Sequence, residues 1–192
     1  YMGARSDRPD PTFILPPVNA ATQPRLWYSA GHFPLLTLPG GQTQTVRSIL
    51  NITGPMRFGT YVWNEAHIPQ GPVWVRVDLD KQILSVFRAG HEIGSAVILY
   101  GADNVPTPTG SFKILGKAEY YHSKTYNAPM PFALRLTPDW VAIHASDVHD
   151  GYATHGCVGV PMEFARLLYA HARIGDPVFI VGGKASGPSL KS

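Results

Sequence analysis

The sequence predicts a mostly β domain with one main helix, arranged as a sheet sandwich or open barrel. Three observations carry this. Apolar residues alternate with period two from Val73 onward; turn formers are abundant, with 19 Gly and 18 Pro in 192 residues; and helical spacing is clear only near the C-terminus. A chain of this length can bury a sizeable core. Its 44% hydrophobic and 15% charged residues are those of a globular protein.

Residues 1–72 read as an N-terminal arm packed on the domain. Pro9, Pro11, Pro16, Pro17 and Pro24 forbid a long helix there. Phe13, Ile14, Leu15, Trp27 and Tyr28 favour burial. Val46, Ile49 and Leu50 share a helical face, which predicts a short helix ended by Gly54-Pro55. Residues 73–181 read as the main domain. Val73, Val75, Val77 and Leu79 alternate with Trp74, Arg76 and Asp78, the pattern of a half-buried strand. Asp80-Lys81 predicts a turn and residues 82–88 a returning strand, with a second turn at Gly90. Residues 93–100 and 111–115 are further strands, separated by the irregular Pro106-Thr107-Pro108-Thr109-Gly110. Residues 140–144 form a short apolar strand that delivers His144 at its end. Pro161 suits the first turn of a helix that carries Phe164, Leu167 and Leu168 on one face and stops at Gly175. Val178 to Val181 is a last strand, and residues 182–192 a flexible tail.

The net charge of +3 permits an anionic partner, but the 16 Lys and Arg are scattered without a run or basic face, which argues against nucleic acid. Cys157 is the sole cysteine, so no intrachain disulfide forms. No stretch approaches the ~18 apolar residues of a membrane span. A chain that begins at Tyr1 reads as a trimmed form whose export signal or anchor is no longer present.

Chemistry-bearing residues concentrate between His144 and Val160: His144, His149, Thr154, His155, Gly156 and Cys157. A thiol attacks as its thiolate and needs a base beside it. His144 at a strand end and Cys157 after a loop can meet if the loop folds back. Gly156 allows close backbone approach, and the N–H groups of Gly156 and Cys157 are candidates to face a developing oxyanion. Two other readings use the same residues. Cys157 beside Val158 suits a core position, and His144, His149, His155 and Cys157 are possible zinc ligands, although structural zinc usually takes Cys pairs. No cofactor or metal is expected.

Thr154-His155-Gly156-Cys157 resembles the [Ser/Thr]-His-Gly-Cys signature of the L,D-transpeptidase (YkuD) family, with His144 as its upstream histidine. Val77 to Phe87 resembles the start of the family domain, and Pro106 to Phe112 its proline-threonine-glycine loop. Met130-Pro131-Phe132 and Ala142-Ile143-His144 follow in family order, and Pro161 to Val181 resembles the closing helix and strand. The resemblance implies a YkuD-like fold and a peptidoglycan-remodelling acyltransferase. In it, Cys157 attacks a stem tetrapeptide, releases D-alanine and forms a thioester that an amine of a second stem resolves. It implies His144 as general base oriented by the Ala145 carbonyl, and Gly156 and Cys157 as oxyanion donors. His155 would brace the loop or assist proton transfer, supported by Thr154. Substrate contacts are expected from Thr154, Met130 and the position of Gly159.

Two departures from the family pattern stand out. Gly159 replaces the usual Arg or Asn, with Arg135 a candidate substitute, and the segment from His144 to Thr154 is shorter than usual. The resemblance further implies a periplasmic or cell-wall location, peptidoglycan stem peptides as partners, and carbapenem-type β-lactams as covalent inhibitors. Hydrolysis by the same nucleophile, as an L,D-carboxypeptidase or amidase, and a silent wall-binding module are the alternatives.

Overall fold

A computed structural model describes residues 23–148 and 153–183. Residues 1–22 of the expected arm, His149, and residues 184–192 of the expected tail lie outside them.

The hairpin read from Val73 is present as β6 (Val73–Asp78) and β7 (Ile83–Arg88), antiparallel with Val75 opposite Val86. β8 (His91–Val97) returns from β7 through Ala89 and Gly90, both with positive φ, as a two-residue hairpin turn requires. β6 departs from the expected half-buried strand, because both of its faces are covered. Val75 and Val77 point into the main core, while Trp74 on the other face stacks on Phe87 at 4.0 Å and meets Phe179 edge-on. Trp74, which alternates with the valines, belongs to a second core that the N-terminal segment closes with Tyr28, Leu38, Val46 and Ile49.

That segment contains strands where a short helix was expected. β1 (Arg25–Trp27), β2 (Leu35–Leu38), β3 (Gln42–Thr45), β4 (Ser48–Leu50) and β5 (Tyr61–Trp63) precede β6. Val46, Ile49 and Leu50 share helical spacing, but Val46 lies between strands and Ile49 and Leu50 are in β4: Leu50 pairs with Arg25 and Ser48 with His91. All three residues of β4 are buried, so packing on both sides overrides the local pattern. β2 and β3 form a separate hairpin.

The remaining elements are β9 (Gly110–Lys113), β10 (Gly116–Ser123), β11 (Ala128–Arg135), β12 (Ala142–Ala145), β13 (Val158–Val160), α1 (Met162–His171) and β14 (Pro177–Val181). The large sheet runs β1-β4-β8-β7-β6-β14-β9, with β5 also on β8, and the smaller runs β10-β11-β12-β13. Among the described residues the result is the expected mostly β sandwich with one α-helix. Its core joins Val77, Val86 and Ile180 of one sheet to Leu134, Ile143 and Val158 of the other, with Phe164 and Leu168 of α1 among them. Burying Phe164 completely stabilises by about 1.5–3 kcal/mol. α1 is short because its C-cap, Ala172, is already extended, and Gly175 lies beyond it with φ 96°.

The long hairpin β10–β11 has no counterpart among the strands read from sequence. The strand read at residues 140–144 begins only at Ala142, because Trp140 lies in a turn with φ 67°.

Candidate active site

The smaller sheet brings the two key residues together. β12 and β13 are parallel, with His144 beside Gly159, so Cys157 stands just ahead of the strand that flanks His144. His144, Ala145, Thr154, His155, Cys157 and Met130 all line one cavity of about 450 Å³, which Ser123, Tyr126, Ser146 and Met162 also line.

Local bonding explains the shape of the cysteine loop. The Thr154 hydroxyl donates to the Cys157 carbonyl and closes the turn. Gly156 has φ 106°, a region that residues with a Cβ rarely adopt. Behind the turn, Thr154 N–H donates to the Tyr100 carbonyl at 2.9 Å, and Ala102 N–H to the Thr154 carbonyl at 3.1 Å. The proline-threonine loop braces this segment through Thr107, whose hydroxyl accepts from Gly101 N–H at 2.8 Å. His155 is exposed and stacks flat on Tyr126 at 4.4 Å.

His144 Nδ1 lies 2.7 Å from the Ala145 carbonyl oxygen. A carbonyl only accepts, so Nδ1 carries the proton and Nε2 keeps the lone pair. Burial pulls the His144 imidazole below its ordinary range, with the Ala145 carbonyl opposing. Cys157 is 8% exposed, and its Sγ donates to the Trp140 carbonyl at 3.5 Å. Burial pushes this thiol up; the Ala142 N–H opposes that and the Asp139 carboxylate adds to it. Both shifts, and the Trp140 carbonyl that accepts from Sγ, favour the uncharged forms of thiol and imidazole over an ion pair.

Two predicted substrate contacts are placed elsewhere. Arg135 sits with its guanidinium 5.3 Å from the Trp140 ring centroid and is not among the cavity-lining residues. Gly159 is buried within β13 and bonded in both directions to Leu99. A Cβ on Gly159 would stand 2.8 Å from the Ser146 Cβ, so Ser146 fills the space where a side chain at 159 would begin. Gly159→Ala is therefore expected to cost about 1–3 kcal/mol in denaturant unfolding, and Ser146→Gly in the same chain to recover most of it. Equal cost of Gly159→Ala with Ser or Gly at 146 would refute the contact. Ser123 and Tyr126 have no motif to mark them, since the β10–β11 hairpin brings them to the cavity; Ser146 and Met162 lie close in sequence to His144 and Cys157 but carry no chemistry that singles them out. Among the described residues, no group of three His, Cys, Asp or Glu is placed to hold a metal ion.

A two-sheet sandwich with a histidine on one strand and a cysteine just ahead of the parallel strand beside it, both lining one cavity, defines a small β domain built around a thiol and a base. The chain belongs to the L,D-transpeptidase (YkuD) family: the family model of the L,D-transpeptidase catalytic domain matches residues 72–180. Among solved structures, an L,D-transpeptidase from Stackebrandtia nassauensis is 26% identical with a TM-score of 0.55, over 60% of this chain and 58% of that one. An L,D-transpeptidase from Mycobacterium smegmatis is 23% identical with a TM-score of 0.53, over 57% and 58%. One from Mycobacterium tuberculosis H37Rv is 22% identical with a TM-score of 0.54, over 57% of each chain. The last two likenesses concern the fold alone, and each match spans less than two-thirds of the relative's length. A search of curated proteins found no match.

Proposed function

We propose that this protein is a peptidoglycan L,D-transpeptidase that works through a thioester on Cys157. The observation that carries the reading is the shared cavity, lined by a buried thiol just ahead of β13 and by a histidine of β12 whose Nε2 keeps its lone pair. As Cys157 Sγ attacks the carbonyl of the third stem residue, its proton passes to His144 Nε2 and a C–S bond forms. The backbone N–H groups of Gly156 and Cys157 stabilise the oxyanion. Collapse breaks the C–N bond to D-alanine, whose nitrogen takes the proton from His144. His144 then deprotonates the acceptor amine, which displaces the thiolate, and the thiol is restored. Such a substrate lies outside the cytoplasmic membrane, in the periplasm or cell wall. A cavity of about 450 Å³, lined on one side by buried Met130, suits a peptide stem. Tyr126 and His155 form a stacked, exposed edge for it.

A neighbour of like fold has been solved in complex with imipenem, and another with a faropenem-derived adduct. These complexes support carbapenem-type acylation of Cys157 here. The test is incubation of the protein and its Cys157→Ala variant with disaccharide-tetrapeptide, read by mass spectrometry. A cross-linked dimer lacking one D-alanine is expected from the protein and not from the variant. Tripeptide without dimer would instead assign hydrolysis, and identical products from both would remove Cys157 from the chemistry.

A further inference from the structure

The thiol's resting partner is a backbone carbonyl held in an unusual conformation. Trp140 has φ 67°, in the left-handed region that aromatic residues rarely occupy. The preceding turn sets it up: Trp140 N–H donates to the Thr137 carbonyl at 3.1 Å, and Val141 N–H to the Thr137 hydroxyl at 3.0 Å. The ring is then held in place. Tyr121 stacks on it with 3.8 Å between centroids and 4° between planes, and the Arg135 guanidinium lies 5.3 Å from its centroid. Trp140 and Tyr121 pack against a small cluster of Met130, Ala133, Ala142 and Cys157. The outcome of this bracing is a carbonyl oxygen 3.5 Å from Cys157 Sγ.

We propose that Trp140 is a positioning residue for the nucleophile: its left-handed backbone, clamped by Tyr121 and Arg135, aims a carbonyl that holds Cys157 as an oriented, protonated thiol until substrate arrives. Strained backbone of this kind persists where the surroundings over-determine it. Here the surroundings are an aromatic stack and a cation with no other role in the cavity. The two backbone groups at the sulfur act in opposite senses. The Trp140 carbonyl accepts from S–H and favours the thiol, whereas the Ala142 N–H favours the thiolate. The proton is thus kept on sulfur at rest, and the anion has a donor waiting when the proton leaves for His144. The buried thiol is protected from adventitious alkylation and oxidation, which act on the thiolate.

This inference rests on Cys157 being the nucleophile, but its test reads the sulfur directly and needs no peptidoglycan. The rate of Cys157 alkylation by iodoacetamide is measured against pH in the intact protein and in three variants. Trp140→Ala loses the clamp and cannot hold the left-handed backbone cheaply. Its inflection should move to lower pH by about half a unit or more, a roughly threefold faster reaction at neutral pH. Trp140→Gly loses the same ring but adopts positive φ freely, so its profile should lie closer to that of the intact protein. Tyr121→Leu leaves Trp140 in place and removes only its stack; it should shift in the same direction as Trp140→Ala, and it decides the matter if that variant does not fold. Equal shifts in the Ala and Gly variants would mean that the ring merely fills space. An unmoved profile in Tyr121→Leu would likewise overturn the proposal. If the alkylation shifts appear while no cross-linked product forms, the positioning holds and the transpeptidase reading fails.

Discussion

His144→Ala is expected to lower the turnover of stem tetrapeptide by roughly 10²–10⁴-fold, with a much smaller change in KM. The reasoning follows from the protonation states of the site. With Nδ1–H committed to the Ala145 carbonyl, His144 has one lone pair, and both burial and the Trp140 carbonyl favour the protonated form of Cys157. Removing the imidazole leaves a thiol with no base, so the remaining rate depends on the small thiolate fraction. The pH profile separates this from a structural effect. Burial lowers the His144 imidazole from its ordinary 6.5, so the neutral base persists as pH falls through 6.5 and the acid limb of the intact protein should lie below that value. The thiol is raised from its ordinary 9.0, so direct ionisation should become important only above it. The intact protein is therefore expected to show a broad plateau between the two limbs. In His144→Ala the plateau should disappear, replaced by a rate that climbs with hydroxide. An acid limb of unchanged position in the variant would show that another group sets it. A resting ion pair would have reversed the order, with the thiol titrating below the imidazole.

Much of this site was legible because its parts are local. Thr154 to Cys157 is a contiguous turn whose glycine is needed at positive φ, and His144 lies next to the end of a strand with a clear apolar run. The helix and the hairpin from Val73 were legible for the same reason, since each declares its period within a few residues. What escaped depends on partners distant in sequence. β11 carries Pro129 and Pro131, which argue against a strand. They lie two apart, so their nitrogens face the same side, and β12 pairs with this strand only at Leu134 and Arg135. The missing donors therefore interrupt no pairing with β12. The turn before β11 hides its left-handed residue in Asn127, with φ 47° and no glycine to announce it. Trp140 was absorbed into the apolar run that follows, because sequence gives no sign that an aromatic residue will take positive φ. In sequence Gly159 signals only the loss of a polar contact; its close approach to Ser146 is visible only once β13 is in register. In the N-terminal region the strands are three or four residues long, too short for period two to be distinguished from period 3.6.

That region yields the largest expected effect on stability, at Arg25. This residue of β1 is 4% exposed and lies over the edge of the large sheet. Its Nη1 donates to the Ser48 hydroxyl at 3.0 Å and to the Glu92 carbonyl at 2.5 Å, and its Nη2 to the Asn64 carbonyl at 2.6 Å. Glu92 is fully buried, accepts from Leu50 N–H at 2.9 Å, and is the opposite charge that Arg25 faces. Arg25→Ala removes the donor from two buried acceptors and a half-buried one, and takes a positive charge away from Glu92, so about 3–5 kcal/mol of stability should be lost. Arg25→Lys keeps the charge but cannot reach three directions from one fork, and should recover only part of it. Denaturant unfolding measures both. A loss below about 1 kcal/mol for the Ala variant would mean that β1 docks loosely, as a dispensable arm does. The structure argues otherwise, because the strands it fastens lead to the chemistry. Glu92 belongs to β8, and the chain just beyond β8 supplies Leu99, bonded both ways to Gly159, and Tyr100, whose carbonyl holds Thr154. Residues 25–50 thus brace the large sheet at β8, and the end of β8 braces the cysteine loop. Destabilising β1 should accordingly lower the temperature at which thiol reactivity stops depending on His144, a coupling that a detachable arm would not produce.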